Sequence, residues 1–310
     1  MSEKREAQSA GPEQGGATPP IGALALLAVL IFAWGGNYTW IKLALRDVGP
    51  WTFNAARYVG AVLLVGALLG WRAGLRDLLP PRGERLLLAA VGVLQCAMLT
   101  ILITVSLRFI ESTHTILIMY TNPVWTLLLS VLLLGERWTA AGICGVALGL
   151  AGIALITNPL AMRWDAAAIP GVLSALGATI AWALGAVLYR RAPLASSFWQ
   201  QVFWQLAASA VAMVPAALMV EAAETVRPTA RLAVITLYNI LVPTTLAYWC
   251  WARVLARVKP STATQVLLLS PVFGVLQSHL VLGEPLSPAV LASAVCVIAG
   301  AGLSFWRPAR

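Results

Sequence analysis

Two stretches of this chain are versions of one apolar phrase. Residues 121–136 read TNPVWTLLLSVLLLGE and residues 269–284 read LSPVFGVLQSHLVLGE, so a proline, a serine, a glycine and a glutamate recur at a fixed offset of 148 residues. The same offset relates Trp34 to Trp182, far from either phrase. The repeat therefore extends over most of the chain, and the sequence predicts two halves that share one fold.

The composition is typical of a protein embedded in a lipid bilayer. Hydrophobic residues make up 60% and charged residues 11% of the 310 residues, whereas soluble domains carry roughly 25% charged residues. Runs of about 20 apolar residues can cross a bilayer as helices, and spans without period-2 alternation favour helices over a β-barrel. The sequence thus predicts an all-α integral membrane protein with ten transmembrane helices. The predicted spans are 21–43, 52–70, 86–106, 114–134, 139–156, 169–189, 198–219, 232–252, 262–282 and 288–306.

The net charge of +9 is distributed unevenly between the predicted loops. When the loops are assigned alternately to the two sides of the membrane, one side carries 14 Lys and Arg residues and the other carries six. Positive loops stay in the cytoplasm, so both termini are predicted to be cytoplasmic and the protein to lie in the cell (inner) membrane. The predicted parts are a disordered N-terminal tail (1–20), a first repeat (21–156), an external linker (157–168), a second repeat (169–306) and a C-terminal tail (307–310).

Each half contains an odd number of predicted spans, namely five. Two halves that share a fold must then cross the membrane in opposite orientations, and such inverted repeats recur in secondary transporters. The two orientations can supply an inward-open and an outward-open state around a site near the midplane. An enzyme is not predicted, because the sequence contains no HExxH, no GxSxG and no intramembrane aspartate pair.

Short motifs in both halves add a resemblance to a known family. They are AWGGNYTWIK in the first span, AARYVGA in the second, the fourth span ending in LLGE, and AG in the fifth, with the fourth-span phrase repeated in the second half. These motifs resemble the EamA family of the drug/metabolite transporter superfamily, over about residues 21–306. The resemblance implies ten helices around a central cavity and transport, usually export, of small metabolites such as amino acids. The second half departs from the pattern at Gln205, which stands where the first half has Arg57.

Polar and aromatic side chains inside the predicted spans are the candidates for a substrate site, because a polar group in a bilayer marks a pathway or a packed polar contact. Trp34 and Trp182 could line an aromatic pocket or pack in the bundle core. Arg57 could hold a substrate carboxylate, extend to the outer surface, or pair with Asp47 or Glu111. The predicted substrate-binding residues are Trp34, Asn37, Tyr38, Arg57, Asn122, Trp182, Tyr248 and Ser270.

Pro123 and Pro271 occupy equivalent places in the fourth and ninth spans, where a proline is expected to kink a helix. Each kink frees a carbonyl four residues earlier, at Met119 and Leu267. These carbonyls could face a substrate cavity or accept a hydrogen bond from a neighbouring Ser or Thr.

The candidates for gating or coupling are His114, His279, Glu136 and Glu284. Each glutamate follows a glycine that can end a helix, so a role in a helix-ending loop is an alternative to gating. The histidines could carry a coupling proton or serve as structural hydrogen-bonding groups. No Asp or Glu lies deep in a predicted span, so proton coupling, exchange and facilitated diffusion all stay open.

The predicted partners are a small-molecule substrate and membrane lipid. No nucleic acid, no cofactor and no metal are predicted, since the four cysteines fall in spans without metal-ligand spacing. The oligomeric state and the direction of transport stay open. The alternative function is a carrier for another substrate class, such as a cationic drug or a sugar, or a carrier that works in uptake.

Overall fold

A computed structural model describes most of the chain. It covers residues 21–74, 78–110, 115, 118–137, 139–157, 166–221, 226–282 and 288–303. Every regular element of these residues is a helix. The predicted N-terminal tail (1–20), the C-terminal residues 304–310 and most of the predicted linker (158–165) lie outside the described residues.

The described residues form ten helical rods, which we number α1 to α10 in chain order. Six rods are uninterrupted: α2 (Pro50–Ala73), α4 (Asn122–Leu134), α5 (Ala140–Thr157), α6 (Ile169–Arg191), α7 (Phe198–Val220) and α10 (Pro288–Leu303). Four consist of consecutive segments: α1 (Ile21–Gly35 and Asn37–Ala44), α3 (Arg82–Gly92, Val93–Met98 and Leu99–Ser106), α8 (Ala230–Asn239, Ile240–Leu246 and Ala247–Arg257) and α9 (Pro260–Leu267 and Leu269–Leu282).

Helix length and composition identify this as a membrane protein. Five stretches of the described residues are long and apolar enough to cross a bilayer: Pro50–Arg72, Arg82–Ser106, Ile169–Arg191, Phe198–Val220 and Ala230–Arg257. Shorter apolar helices are Ile21–Gly35, Asn122–Leu134, Ala140–Leu155 and Leu291–Gly300. The all-helical membrane fold is therefore confirmed, whereas ten complete crossings stay a prediction.

Two of the interrupted helices contain a π-helical turn at equivalent places. Val93–Met98 in α3 and Ile240–Leu246 in α8 match the offset of 148 to within one residue. In α8 the turn contains Pro243, which lacks an N–H, so a change of hydrogen-bond register there has a local cause. The equivalent residue in α3 is Gln95, so proline does not explain both turns. Turns of this kind are frequent at functional sites.

The two repeated prolines lie next to breaks rather than inside continuous helices. Pro123 is the second residue of α4, and Pro271 is the third residue of the segment that follows a break at Leu268. The N–H groups of a first helical turn have no intrahelical acceptor, so a proline costs little there. The structure has a helix begin just before each proline, and the kinks expected from the sequence stay a prediction.

Helices α5 and α10 join the two halves through a reciprocal contact. A Cβ atom on Gly145 would lie 2.7 Å from the carbonyl oxygen of Gly300, and one on Gly152 would lie 2.9 Å from that of Ser293. Since Ser293 and Gly300 are Gly145 and Gly152 shifted by 148 residues, each contact is the repeat mate of the other. Early residues of α5 meet late residues of α10, so the two equivalent helices run antiparallel.

Carboxylates tie the helix ends together at both ends of the bundle. At one end, Arg231 at the start of α8 forms a salt bridge of 2.9 Å with Asp47, and Glu221 accepts hydrogen bonds from the backbone N–H of Trp51 and Thr52. These groups belong to loops that alternation assigns to one side of the membrane.

At the other end of the bundle, Glu84 at the start of α3 accepts from the backbone N–H of Ala195 and Ser196. The Ser261 hydroxyl at the start of α9 donates to Glu136. All five residues belong to loops or helix starts that alternation assigns to the second side.

Candidate functional site

Four aromatic side chains from α1, α6 and α8 meet inside the bundle. The ring centroids of Trp34 and Trp182 lie 5.3 Å apart in an edge-to-face arrangement, and those of Trp34 and Tyr248 lie 5.9 Å apart. Trp251 stacks on Trp182 at 5.5 Å. Such pairs favour offset or edge contacts at these distances. We call these four residues the aromatic cluster, and its centre is the repeat-related pair that the sequence singles out.

Hydrogen bonds connect the aromatic cluster to both π turns. The indole N–H of Trp34 donates to the carbonyl of Pro243 at 3.0 Å, and the amide of Gln95 donates to the carbonyl of Trp182 at 3.4 Å. These two contacts are repeat mates, because Gln95 and Pro243 are 148 residues apart, as are the two tryptophans. The hydroxyl of Tyr248 donates to the Gln95 carbonyl at 3.3 Å. Both π turns therefore contact the aromatic cluster directly.

Arg57 reaches the same region from α2. Its Nη2 donates to the Tyr58 hydroxyl at 3.1 Å, and its Nε is buried without an acceptor. The Tyr58 hydroxyl in turn donates to the carbonyl of Cys96, the residue after the Gln95 carbonyl that accepts from Tyr248 of the aromatic cluster. No carboxylate of the described residues pairs with Arg57, and Asp47, one suggested partner, is bound to Arg231 instead. Glu111, the other suggested partner, lies outside the described residues. Arg57 is thus a guanidinium inside a membrane bundle with a free donor.

Asn37 and Ser270 are buried, with 6% and 5% of their surface exposed. The Oδ1 atom of Asn37 and the hydroxyl of Ser270 have no hydrogen-bond partner in the structure. Asn37 follows the break at Gly36, and the Ser270 carbonyl would lie 2.3 Å from a Cβ on Gly35. Ser270 therefore sits where α1 and α9 approach each other closely, and Asn37 follows that contact on α1.

Asn122 is engaged by the protein itself. Its Nδ2 donates to the Thr179 carbonyl at 3.4 Å, and its Oδ1 accepts from the Thr126 hydroxyl at 2.8 Å. The hydroxyl of Thr179 donates to the Met119 carbonyl at 3.2 Å. The Met119 carbonyl, four residues before Pro123, therefore accepts a hydrogen bond from a neighbouring threonine. This is the alternative to a substrate contact that the sequence analysis leaves open. The structure shows this region as packing between α4 and α6.

Glu136 lies apart from the aromatic cluster, at the bundle end that also contains Glu84. Its Oε2 accepts from the Ser261 hydroxyl at 2.7 Å, and Arg190 at the end of α6 donates to the Leu255 carbonyl at 3.0 Å. These bonds join α9 to the loop after α4, and α6 to α8, at this end of the bundle. Of the other predicted gating or coupling residues, His114 and Glu284 lie outside the described residues, as does the side chain of His279. The side chain of Tyr38, a predicted substrate-binding residue, also lies outside them.

Some residues at the site are not singled out by the sequence reasoning. Gln95 and Asn239 count among the polar residues of the predicted spans by the rule that selects Asn37, but they are not chosen as substrate-binding residues. Tyr58 and Trp251 carry no comparable signal, because aromatic residues are common in packed helices. The positions of Tyr58 and Trp251 depend on which face of each helix points into the bundle. Most of these helices are only weakly amphipathic, so the sequence does not determine that face.

A separate groove of about 550 Å³ lies on α8, away from the aromatic cluster. Its lining includes Val226, Leu232, Leu237 and Ile240 and is almost wholly apolar. A solute site needs convergent polar groups, which this groove lacks. Its chemistry fits a lipid chain, so the candidate solute site stays at the aromatic cluster.

Residues 21–158 and 169–306 each match the EamA-like transporter family. A Salmonella typhimurium protein named "Probable amino-acid metabolite efflux pump" is 24% identical over 90% of this chain and 92% of its own length. An Escherichia coli K12 protein named as the inner membrane transporter YedA is 28% identical over 87% of this chain and 85% of its own length. Both relatives are named as transporters, in agreement with the prediction that the chain is not an enzyme.

A solved structure shares the fold of this chain. It matches with a TM-score of 0.78 at 20% sequence identity, and the match covers 91% of this chain and 95% of the other. The described helices therefore follow an arrangement already seen in a crystal structure.

Proposed function

The chain belongs to the EamA-like transporter family, and on that premise we propose that it exports small metabolites, amino acids or related compounds among them, by alternating access. The observation that carries this proposal is the meeting of Trp34 and Trp182 between the halves, in a bundle that also buries the unpaired Nε of Arg57. An amino acid with an apolar side chain fits such a site, with its carboxylate on Arg57 and its side chain on the indoles. The name of the Salmonella relative points the same way.

Alternating access is supported by the relation between the halves. The antiparallel, reciprocal contact of α5 with α10 is what a two-fold axis in the membrane plane would produce. Exchange of conformation between two such halves would open the site to one side and then to the other. The matched π turns would contribute, since they are the points where α3 and α8 hold the two tryptophans.

The orientation is part of the proposal. The bias of positive charge supports cytoplasmic termini in the cell (inner) membrane, with Asp47 and Arg231 outside and Glu84 and Glu136 inside. Labelling of a single cysteine introduced at residue 225 checks this. We expect a membrane-impermeant reagent to reach it from outside the cell, and labelling from the cytoplasmic side alone would overturn the inverted-repeat arrangement.

Flux through purified protein tests the function itself. Proteoliposomes preloaded with one labelled L-amino acid should exchange it for external amino acid, and empty liposomes should not. Ser270→Leu should lower the exchange while expression and insertion persist, because leucine is tolerated in a membrane helix. Exchange of labelled cationic drugs or sugars, with none for any amino acid, would overturn the substrate assignment in favour of another class.

A further inference from the structure

We propose that Asn37 and Asn239 form a subsite for a positively charged nitrogen, the ammonium group of the substrate. This assignment rests on the transport function proposed above and adds Asn239, which neither the repeat nor the motifs select. Both residues present a buried amide oxygen that lacks a donor, at one level of two neighbouring helices. Arg57 would bind the carboxylate of a zwitterion, and the two asparagines would bind its ammonium group.

Two contacts fix the register of α1 against α8. The Trp34 indole N–H meets the Pro243 carbonyl at 3.0 Å, and the ring centroids of Trp40 and Tyr238 lie 5.9 Å apart. As the residue number rises on α1, it falls on α8. The two helices are therefore antiparallel neighbours over this stretch.

Asn37 lies between the two contact points on α1, and Asn239 lies between them on α8. The two side chains thus belong to the same level of the α1–α8 interface. Asn37 has 6% of its surface exposed and Asn239 has none. Each therefore holds a polar amide away from water.

The free atom in each amide is the oxygen. Asn239 already donates from Nδ2 to the Ile235 carbonyl at 3.1 Å, so its amide orientation is fixed and Oδ1 is the end without a partner. The Oδ1 atom of Asn37 is likewise unpartnered. A buried acceptor without a donor is unfavourable, and an N–H group of a ligand would satisfy it. Two such acceptors at one level suit an ammonium, which has three donors.

Arg57 lies at a similar depth from the same end of the bundle. Asn37 is seven residues from the end of α1 at Ala44, and Arg57 is seven from the start of α2 at Pro50. At about 1.5 Å per residue both lie about 10 Å inside that end, and Asn239, nine residues into α8, lies slightly deeper. Helices α2 and α8 touch at Gly60 and Ile240.

A zwitterion fits Arg57, Asn37 and Asn239 together better than a free cation does. No carboxylate of the described residues belongs to this level, and the guanidinium of Arg57 would repel a bare ion. A substrate that brings its own carboxylate to Arg57 removes that repulsion. The subsite also exists only once, because the repeat equivalents of Asn37 and Asn239 are Gly185 and Val91, which carry no side-chain oxygen.

Proteoliposome exchange of a matched ligand pair tests the subsite. The probe is whichever of L-leucine, L-phenylalanine and L-threonine gives the largest flux, compared with its N-acetyl derivative, which keeps the carboxylate and loses the ammonium. The native protein should transport the free amino acid about tenfold faster or more, as the loss of charge-assisted hydrogen bonds implies. Asn37→Leu and Asn239→Leu should lower its flux to the level of the derivative and leave the derivative unchanged.

Two further variants keep the result interpretable. Asn239→Asp retains acceptor oxygens and should keep the preference for the free amino acid even where the leucine variant folds poorly. Asn54→Leu removes an amide that bonds the Pro50 carbonyl instead, and should not change the preference.

Equal flux of both ligands in the native protein, or a preference that survives both leucine changes, would overturn the subsite and leave the transport function standing. A native flux that falls when choline replaces Na⁺ would assign the oxygens to Na⁺ and overturn the ammonium reading. No flux of any amino acid would overturn the amino-acid part of the proposed function as well.

Discussion

The first and second halves of the chain share a scaffold and differ in the polar groups that line it. Both have a π turn at the same place, and their equivalent tryptophans touch each other. At the level of the site, however, Arg57 in the first half corresponds to Gln205, and Asn37 corresponds to Gly185. A substrate between them would meet charge on one side only.

The continuity of the helices differs as well. Helix α1 breaks at Gly36, whereas α6 runs without interruption through the equivalent Leu184. Asn37 follows the break, so the irregular point of α1 carries one unpaired amide oxygen, and Asn239 in the second half carries another. The halves therefore share packing contacts, whereas Arg57 and Asn37 have no counterpart of the same type in the second half.

Replacing Gln205 by the arginine found at the equivalent position of the first half should have the largest effect, and the effect should be on the yield of folded protein. Gln205 has 4% of its surface exposed, and Gln205→Arg would bury a second guanidinium without a counter-ion. Leaving a buried charge uncompensated costs about 3–5 kcal/mol. We expect a large loss of folded protein, measured by the monodisperse fraction in size-exclusion chromatography. A native-like yield would show that the second half tolerates a charge and that the difference between the halves is incidental.

Making the first half resemble the second should affect transport more than folding. Arg57→Gln removes the unpaired donor and the charge, and a hydrogen bond to a charged group contributes about 1.5–3 kcal/mol, or roughly 10- to 100-fold in exchange rate. Arg57→Lys is the matched control, because it keeps the charge without the planar fork and should retain part of the flux. Unchanged exchange in Arg57→Gln would remove Arg57 from the site.

The sequence predicts the shared features better than the differing ones. Apolar runs, the offset of 148 and the pairing of Trp34 with Trp182 follow from patterns that a helix and a repeat impose. The break before Pro123 and the donor that Thr179 gives to Met119 do not, because they depend on which neighbouring helix supplies a partner. The sequence of α3 in particular has no proline to announce its π turn.

The site shows the same division. Arg57 and Asn37 can be selected from sequence because polar residues are rare in apolar spans. The sequence could not predict that Arg57 contacts Tyr58 and not Asp47, because several loop carboxylates are possible partners for one arginine. The register of α1 against α8, which brings Asn239 to the level of Asn37, is a property of tertiary packing alone.

The reciprocal contact between α5 and α10 offers a test of the shared scaffold, with a smaller effect. Gly300→Ala places a Cβ 2.6 Å from the Gly145 carbonyl, and its repeat mate Gly152→Ala places one 2.8 Å from Val297. Overpacking of this kind costs about 1–3 kcal/mol, so both variants should unfold at lower temperature in a thermal-shift assay. Gly302→Ala is the control, because nothing lies within 4 Å of its Cβ. Equal melting temperatures for all three would show that the helices separate freely here.

The carboxylates at the two bundle ends give the last and smallest contrast. Asp47 binds the side chains of Arg231 and Thr229 at the start of α8, whereas Glu84 at the start of α3 binds backbone N–H groups of the loop after α6. The two connections are repeat-related in place, but the loop supplies the carboxylate in the first and the helix start supplies it in the second. Asp47→Asn should therefore lower the melting temperature slightly, through lost ionic contacts, and less at high salt because its partner Arg231 is partly exposed.

The pH dependence of this variant follows from the hydrogen bond with Arg231, which holds the pKa of Asp47 below its usual 3.8. A carboxyl whose pKa is lowered by folding stabilises the folded state above its unfolded pKa, and that stability is lost as the pH falls through the folded value. The difference in melting temperature between the native protein and Asp47→Asn should thus be full at pH 7 and shrink below about pH 4. A difference that stays constant down to pH 3 would mean that the Asp47 carboxylate adds no ionic stability, and that shape alone holds α1 to α8 at this end.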